Sequence, residues 1–427
     1  MVIGSVMGPK PMPEWRTAEP YGREGLPLEQ ARLQILEALQ PLALTETLPL
    51  AQALGRTTAM AVTAVAAVPG FRASIMDGFA IAGEEQPQLG GRWRLVGASV
   101  AGAPYGAALA AGEAVRILTG AVVPEGSGWV LPQELVAVNG DQLDQVKPCG
   151  PNPWIRHPQE EAAPGQDLVA AGQRLGVAEL GRLASCGVQQ LVLTRRPRIG
   201  LLISGDELLP PGEERGPGQI WESNSALLAA LLQRLGYAVA DRRVVVDQPE
   251  PLRVALRELA AGCDVVVSTG GVSSGDSDWI RPLVEELGQV SFWKLFLKPG
   301  RPFAWGNVAG VPFFGLPGNP VAAAITALQL LWPALQRLEG VEIELLPRLK
   351  VRLESPLRRG AGRPELARAR LAVAADGGLW ARVEGSQASS RIGSLQGADL
   401  LLEIPAELGA LEAGTELWAQ LLRLPLL

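Results

Sequence analysis

Apolar positions change their spacing several times along this chain, and each change marks a segment. Between 28 and 39 they fall at 28, 31, 35, 36 and 39, the spacing of one helix face. A second helix is predicted over 48–61, with Pro49 near its start. From 64 to 165 the pattern turns into short β-like runs (93–100, 114–118 and 129–130) broken by Gly and Pro, ending in a proline-rich loop at 148–164. A helix over 177–185 and a strand over 190–194 follow. Pro9, Pro11, Pro13 and Pro20 leave little room for a helix in the first 25 residues.

Between 198 and 340 strand-like and helix-like patterns alternate. Strands are predicted over 199–204, 238–246, 264–268 and 290–297, and helices over 224–235, 251–261, 279–287 and 321–338. Such alternation predicts βαβ units and a parallel sheet covered on both faces. Ligands of such sheets bind at the carboxyl ends of the strands. The last segment, 342–427, returns to alternating polar and apolar residues and reads as a small β-barrel or sandwich.

Composition narrows the classes. With 427 residues, two to four domains are expected. A net charge of −6 argues against a general nucleic-acid binder. The three cysteines lie far apart with no C-x-x-C, which speaks against a disulfide framework or zinc knuckle and fits a cytoplasmic setting. No signal-peptide pattern is present, and the longest apolar run, 321–335, contains Pro333 and is too short to span a bilayer. No membrane association is expected. His157 is the only histidine, which removes every multi-histidine metal site. It also removes a serine hydrolase. Residues 271–275 fit G-x-S-x-G, but that motif needs its histidine after the serine, and His157 precedes it. Residues 291–294 fit S-x-x-K but lack a K-T-G partner.

Candidate chemistry gathers at strand ends. Gly270-Gly271-Val272-Ser273-Ser274-Gly275 follows an apolar strand and precedes a helix, where glycines expose N–H groups to an anion; an ordinary turn is the plainer alternative. Asp276 and Asp278 would suit Mg²⁺ beside a phosphate, or one of them caps the helix. Asp206-Glu207 places two acids after another strand. Lys294 and Lys298 share a face if they lie on one strand, ~13 Å apart, unless the chain turns at Pro299; solvated edge lysines are the alternative. In 315–320, Asn319 can cap the next helix and Pro320 suits its first turn, with exposed N–H groups for an anion.

Taken in order, these motifs resemble the molybdopterin molybdenumtransferase family, which includes the E domain of gephyrin-like proteins. The likeness runs from about 28 to 420. It includes Ala53-Leu54-Gly55-Arg56, Ser74-Ile75-Met76-Asp77-Gly78-Phe79, Arg116-Ile117-Leu118-Thr119-Gly120, Gly165 with Asp167, and Gly205-Asp206-Glu207-Leu208. Ser223-Asn224, the 268–278 loop, Lys298-Pro299-Gly300-Arg301-Pro302, 315–320, Gly362-Arg363 with Glu365 and Arg368, and Gln387 with Ser389-Ser390 complete it. Arg72 and Ala73 stand where the family usually has Asp and Asn, and Phe79 where it has Tyr.

The resemblance implies an α/β multidomain fold. A doubly wound molybdenum-cofactor-binding domain would span 197–341. A small α/β domain (26–63 plus 166–196) would be split by an inserted β-rich domain (64–165), and a C-terminal β-barrel domain would span 342–427. It further implies a homodimer whose site combines the doubly wound domain of one subunit with the insert of its partner. The implied reaction inserts molybdate into adenylated molybdopterin with Mg²⁺-dependent release of AMP. Asp77, Thr119, Asp167, Glu207, Lys294 and Lys298 would be catalytic. Ser74, Gly270, Gly271, Ser273, Gly275, Arg301, Pro317, Gly318, Asn319, Pro320, Arg368 and Ser389 would bind substrate, and Glu207, Asp276 and Asp278 would hold the metal. A molybdopterin adenylyltransferase and molybdoenzyme maturation proteins become candidate partners. A lone adenylyltransferase is the nearest rival, but 28–196 and 342–427 exceed it. A non-catalytic carrier or scaffold is the second.

Overall fold

A computed structural model describes residues 25–272, 279–383 and 385–422. The predicted irregular arm at the N-terminus lies outside them up to residue 24. The chain forms two compact units, one comprising residues up to Leu44 and from Thr194 onward, the other Thr45–Leu193.

The first unit is built on a six-stranded sheet in the order Val239–Val245, Ile199–Ser204, Val265–Thr269, Val311–Leu316, Ala304–Val308, Gly288–Trp293. The first four strands are parallel. Their side chains alternate between two cores, as period 2 requires. Ile199, Leu201, Ile203, Val265 and Val267 face the helices Asn224–Arg234 and Pro320–Thr326. Leu202 and Val266 face Pro249–Gly262 and Ile280–Leu287. This is the expected doubly wound arrangement.

Its fifth strand, Ala304–Val308, runs antiparallel to both neighbours, which departs from the all-parallel expectation. Ala309 and Gly310 both have positive φ (50° and 81°), the geometry of a two-residue turn that returns the chain directly into a hairpin. The strand predicted over 290–297 ends at Trp293, because Lys294 takes φ +85° and its N–H turns to Phe303 O at 2.8 Å.

The buried segment Pro320–Glu339 is 20 residues long and apolar enough by composition to cross a bilayer, but 89% of its most apolar window is packed inside the protein. A π turn at Ala327–Leu331 interrupts it, just before Pro333. Proline has no N–H, so it leaves the carbonyl four residues back, Gln329 O, without its helical partner. Arg32, on the helix Leu28–Ala38, donates Nε to that oxygen at 3.0 Å. The Gln329 side chain accepts from Arg32 Nη2 at 3.0 Å and donates to Gln420 at 2.6 Å. The helix 28–38, expected with 39–63 and 166–196, therefore packs on this core helix.

Five strands, in the order Arg348–Leu353, Leu379–Arg382, Glu365–Val373, Leu400–Ile404, Glu416–Leu421, close into a barrel around Leu353, Ala367, Leu400, Leu402 and Ala419. The backbone of Lys298 is stitched to it: its N–H donates to Pro364 O and its carbonyl accepts from Leu366, each at 2.9 Å.

The second unit holds a six-stranded sheet in the order Ser127–Pro132, Gly78–Ala82, Glu113–Ile117, Arg92–Ser99, Gln142–Gln145, Val136–Asn139. The helix Val177–Ser185 and strand Gln190–Thr194 match the sequence pattern. The helix predicted over 48–61 does not form. Residues Thr45–Pro49 are a strand paired with Gln190–Thr194, and only a single 3-10 turn, Leu50–Gln52, follows. Leu50 N–H donates to Gln189 O, and Gly55 takes φ +67°, so strand pairing and a left-handed glycine replace the helix.

Candidate functional site

In the α/β sheet the chain order reverses between Ile199–Ser204 and Val265–Thr269, which leaves a crevice at their carboxyl ends. A cleft of about 900 Å³ opens there. Of the residues singled out from sequence, Glu207, Gly270, Gly271, Lys298, Arg301, Pro317, Gly318, Asn319, Pro320 and Ser389 line it. Four loops from the sheet and one from the barrel therefore converge.

Each loop is held by identifiable causes. Gly270 has φ +81°, and a Cβ there would stand 2.7 Å from Ser204 O. Only glycine lets the two strand ends approach this closely. Asn319 occupies the position before the helix Pro320–Thr326 but makes no side-chain cap; Pro320 fills the first turn as expected. The Asn319 amide instead donates to Ser389 Oγ at 3.0 Å, which leaves the Ser389 O–H able to donate elsewhere. Lys298 Nζ lies 3.1 Å from the buried Glu365, itself paired at 3.1 Å with Arg359.

Acidic groups gather around Glu207, which lines the cleft. Glu207 follows Gly205, where a Cβ would stand 2.7 Å from the Glu207 carboxylate. Asp206 accepts from Asp247 N–H at 2.9 Å. Burial first, and then the charges of Asp206 and Glu207, hold the Asp247 carboxyl above the ordinary range. One Asp247 carboxylate oxygen is buried without a hydrogen-bond partner among the described residues. Asp247 was not singled out from sequence. Its signal is its place just after the edge strand Val239–Val245 of the same sheet, at the strand ends where Glu207 and Gly270 also stand. Hard carboxylate oxygens that repel one another suit a divalent cation in donor chemistry. Among the described residues no group of three or more Asp, Glu, His or Cys is close enough to hold a metal ion. Asp276 and Asp278, like Ser273 and Gly275, lie outside the described residues.

Two expected residues are placed elsewhere. Lys294 and Lys298 do not share a strand face, because the strand stops before Lys294, and Lys294 does not line the cleft. Arg368 is 2% exposed and stands behind the wall. Its Nε donates to Ser394 Oγ at 3.1 Å and its Nη2 to Ala388 O at 3.3 Å. Its N–H and carbonyl clamp the Gln387 side chain. Arg368 thus shapes the segment that carries Ser389.

Ser74, Asp77, Thr119 and Asp167 belong to the other unit. The Asp77 carboxylate accepts both the N–H and the Oγ1–H of Thr119, each at 2.8 Å. Those bonds, aided by Arg116, hold its carboxyl below the ordinary range. Ser74 Oγ donates to Met76 O at 2.6 Å, fixing the turn that presents Asp77. Arg72, in the place of the family's Asp, donates to Ser127 O at 2.7 Å. Asp167 is exposed at the start of the strand Asp167–Val169. His157 lies in an exposed loop, its backbone N–H bonded to Glu160.

By fold and by cleft, this is a doubly wound protein equipped for a large, multiply charged anion. Family profiles for the MoeA N-terminal region (domains I and II), a probable molybdopterin-binding domain and the MoeA C-terminal region (domain IV) match residues 26–187, 200–337 and 350–422. The molybdopterin molybdenumtransferase of Haemophilus influenzae is 33% identical, with 91% of this chain and 96% of that protein covered. Gephyrin of Dictyostelium discoideum is 30% identical over 87% of this chain and 58% of its own length. A crystal structure of the molybdopterin biosynthesis MoeA protein from Pyrococcus horikoshii superposes with a TM-score of 0.74 at 28% identity, covering 93% of this chain and 99% of that one. The chain belongs to the molybdopterin molybdenumtransferase family.

Proposed function

We propose that this chain inserts molybdate into molybdopterin, with adenylated molybdopterin as substrate and AMP as the released product. The observation that carries this reading is that one cleft is lined by the glycine loop, Lys298, Arg301 and Glu207 together. A pyrophosphate link needs N–H donors and cations along its oxygens, and its hydrolysis needs a base or cation beside it. Gly270, Gly271 and Gly318 would donate to the phosphates, Lys298 and Arg301 would balance their charge and that of molybdate, and Ser389 would donate to the pterin phosphate. Glu207 orients the attacking water. Mg²⁺, when bound at Glu207 with Asp276 and Asp278, would neutralise phosphate charge and acidify that water.

Asp77 and Thr119 enter this scheme in a homodimer, supplied by the partner subunit. The adenylated substrate requires an adenylyltransferase upstream, and the metallated product a molybdoenzyme maturation protein downstream. The test is AMP release from adenylated molybdopterin with Mg²⁺, with and without molybdate. Molybdate-stimulated release is expected, and Glu207→Ala should slow it by roughly 10²-fold or more. An unchanged rate in that variant would remove Glu207 from the scheme. Tight binding by the folded wild type without release would favour a carrier.

A further inference from the structure

Two of the cleft's loops come close together. A Cβ on Gly318 would stand 3.5 Å from Gly270 Cα, so the 315–320 loop passes the loop that follows Val265–Thr269 with about a methyl group's space between them. One side chain joins them from a third element. Asn224, the first residue of the helix Asn224–Arg234, is 8% exposed and lines the same cleft. Its Nδ2 donates to Gly318 O at 2.7 Å and lies 3.4 Å from Thr269 Oγ1. The amide orientation follows from chemistry, because a backbone carbonyl can only accept. The other end of the amide, Oδ1, is buried and has no hydrogen-bond partner among the described residues. A buried acceptor left unpaired is uncommon and calls for a compensating role. Turning the amide over would pair Oδ1 only by setting oxygen against Gly318 O.

We propose that Asn224 is a positioning residue that pins the 315–320 loop to the Thr269-Gly270-Gly271 loop and so sets the spacing of the N–H groups that receive the substrate's phosphates. The proposal rests on the anion-cleft reading above. The pin acts through a donor, not through bulk, and this separates it from a merely structural role. Asn224→Asp has the same shape, and a carboxylate is favoured in the first turn of a helix. It would, however, set an anionic oxygen against Gly318 O.

The experiment measures calorimetric affinity for inorganic pyrophosphate, kcat for AMP release, and Tm in the full chain for wild type, Asn224→Asp and Asn224→Ala. Asn224→Asp is expected to keep its Tm yet lose about tenfold or more in pyrophosphate affinity, the weight of one hydrogen bond. Asn224→Ala should lose less. The deficit of Asn224→Asp relative to wild type should shrink as pH falls through the carboxylate range, because a protonated acid can donate again. Pyrophosphate affinity in Asn224→Asp equal to wild type overturns the proposal, as does an equal loss in both variants at every pH. Should Asn224→Asp fail to fold, wild-type affinity in Asn224→Ala overturns it alone. A wild type that binds no pyrophosphate also overturns it. Wild-type binding without AMP release defeats the transferase reading and leaves the pin standing.

Discussion

Replacing Glu365 by Gln tests how the barrel holds Lys298 at the cleft. Glu365 is 3% exposed and sits between Arg359, whose side chain is 4% exposed, and Lys298, whose side chain is 45% exposed. Glutamine keeps the shape and removes the charge. Removing one partner of a buried pair costs about 3–5 kcal/mol, because the other charge remains desolvated. Arg359 keeps its donation to Arg363 O (2.6 Å), Pro405 O (3.1 Å) and Leu408 O, which places the loss at the lower end, about 3 kcal/mol. The half-exposed Lys298 adds under about 1 kcal/mol. Hydrogen exchange read by mass spectrometry on Glu365–Val373 isolates this local term from the unfolding of other parts. Exchange there should accelerate roughly 10²-fold. Glu416→Gln, which breaks an exposed pair with Lys350 in the same barrel, should leave exchange nearly unchanged. Exchange in Glu365→Gln within twofold of wild type would refute the claim that this pair is a desolvated anchor.

Thr119→Val removes one of the two Thr119 bonds to Asp77, so the Asp77 carboxyl should rise toward its ordinary value of 3.8. Because the folded value is depressed, the stabilisation is present above 3.8 and is lost as pH falls through the folded value. Acid unfolding of the variant should therefore begin at higher pH than in wild type, and an identical acid limb would contradict the assignment. Gly270→Ala meets both a left-handed φ and a 2.7 Å approach to Ser204 O, so pyrophosphate affinity should fall at least tenfold; unchanged affinity would show that the loop yields.

Where local pattern and tertiary setting agree, the sequence is a direct guide. The helix Val177–Ser185 and the strands Gln190–Thr194 and Ile199–Ser204 fall where their periodicity places them. Misreadings occur where pairing overrides propensity. Residues 48–61, with Pro49 near the start, read as a helix, but the strand Gln190–Thr194, about 140 residues away, claims the backbone of Thr45–Pro49. Lys294 lies in an extended run and leaves the strand through one left-handed residue, which composition does not announce. The loop motifs around Gly270, Lys298 and Gly318 are legible because glycine and proline mark backbone geometry. The converse holds for Arg368 and Asp247. Their surroundings are set by burial and by neighbours distant in sequence, so local pattern does not announce that Arg368 is buried and overlooks Asp247.

Pro333 has a consequence for the order of events in synthesis. The carbonyl it releases at Gln329 is taken by Arg32, 297 residues earlier, and the same glutamine reaches forward to Gln420. The helix Leu28–Ala38 is thus made early but lacks its bonds to the core helix until residue 329 has emerged, and the polar chain is complete only with residue 420. Loop closure over such separations is entropically slow to nucleate. Vectorial folding would therefore give a finished insert waiting on an unfinished frame, with the first helix among the last pieces to dock.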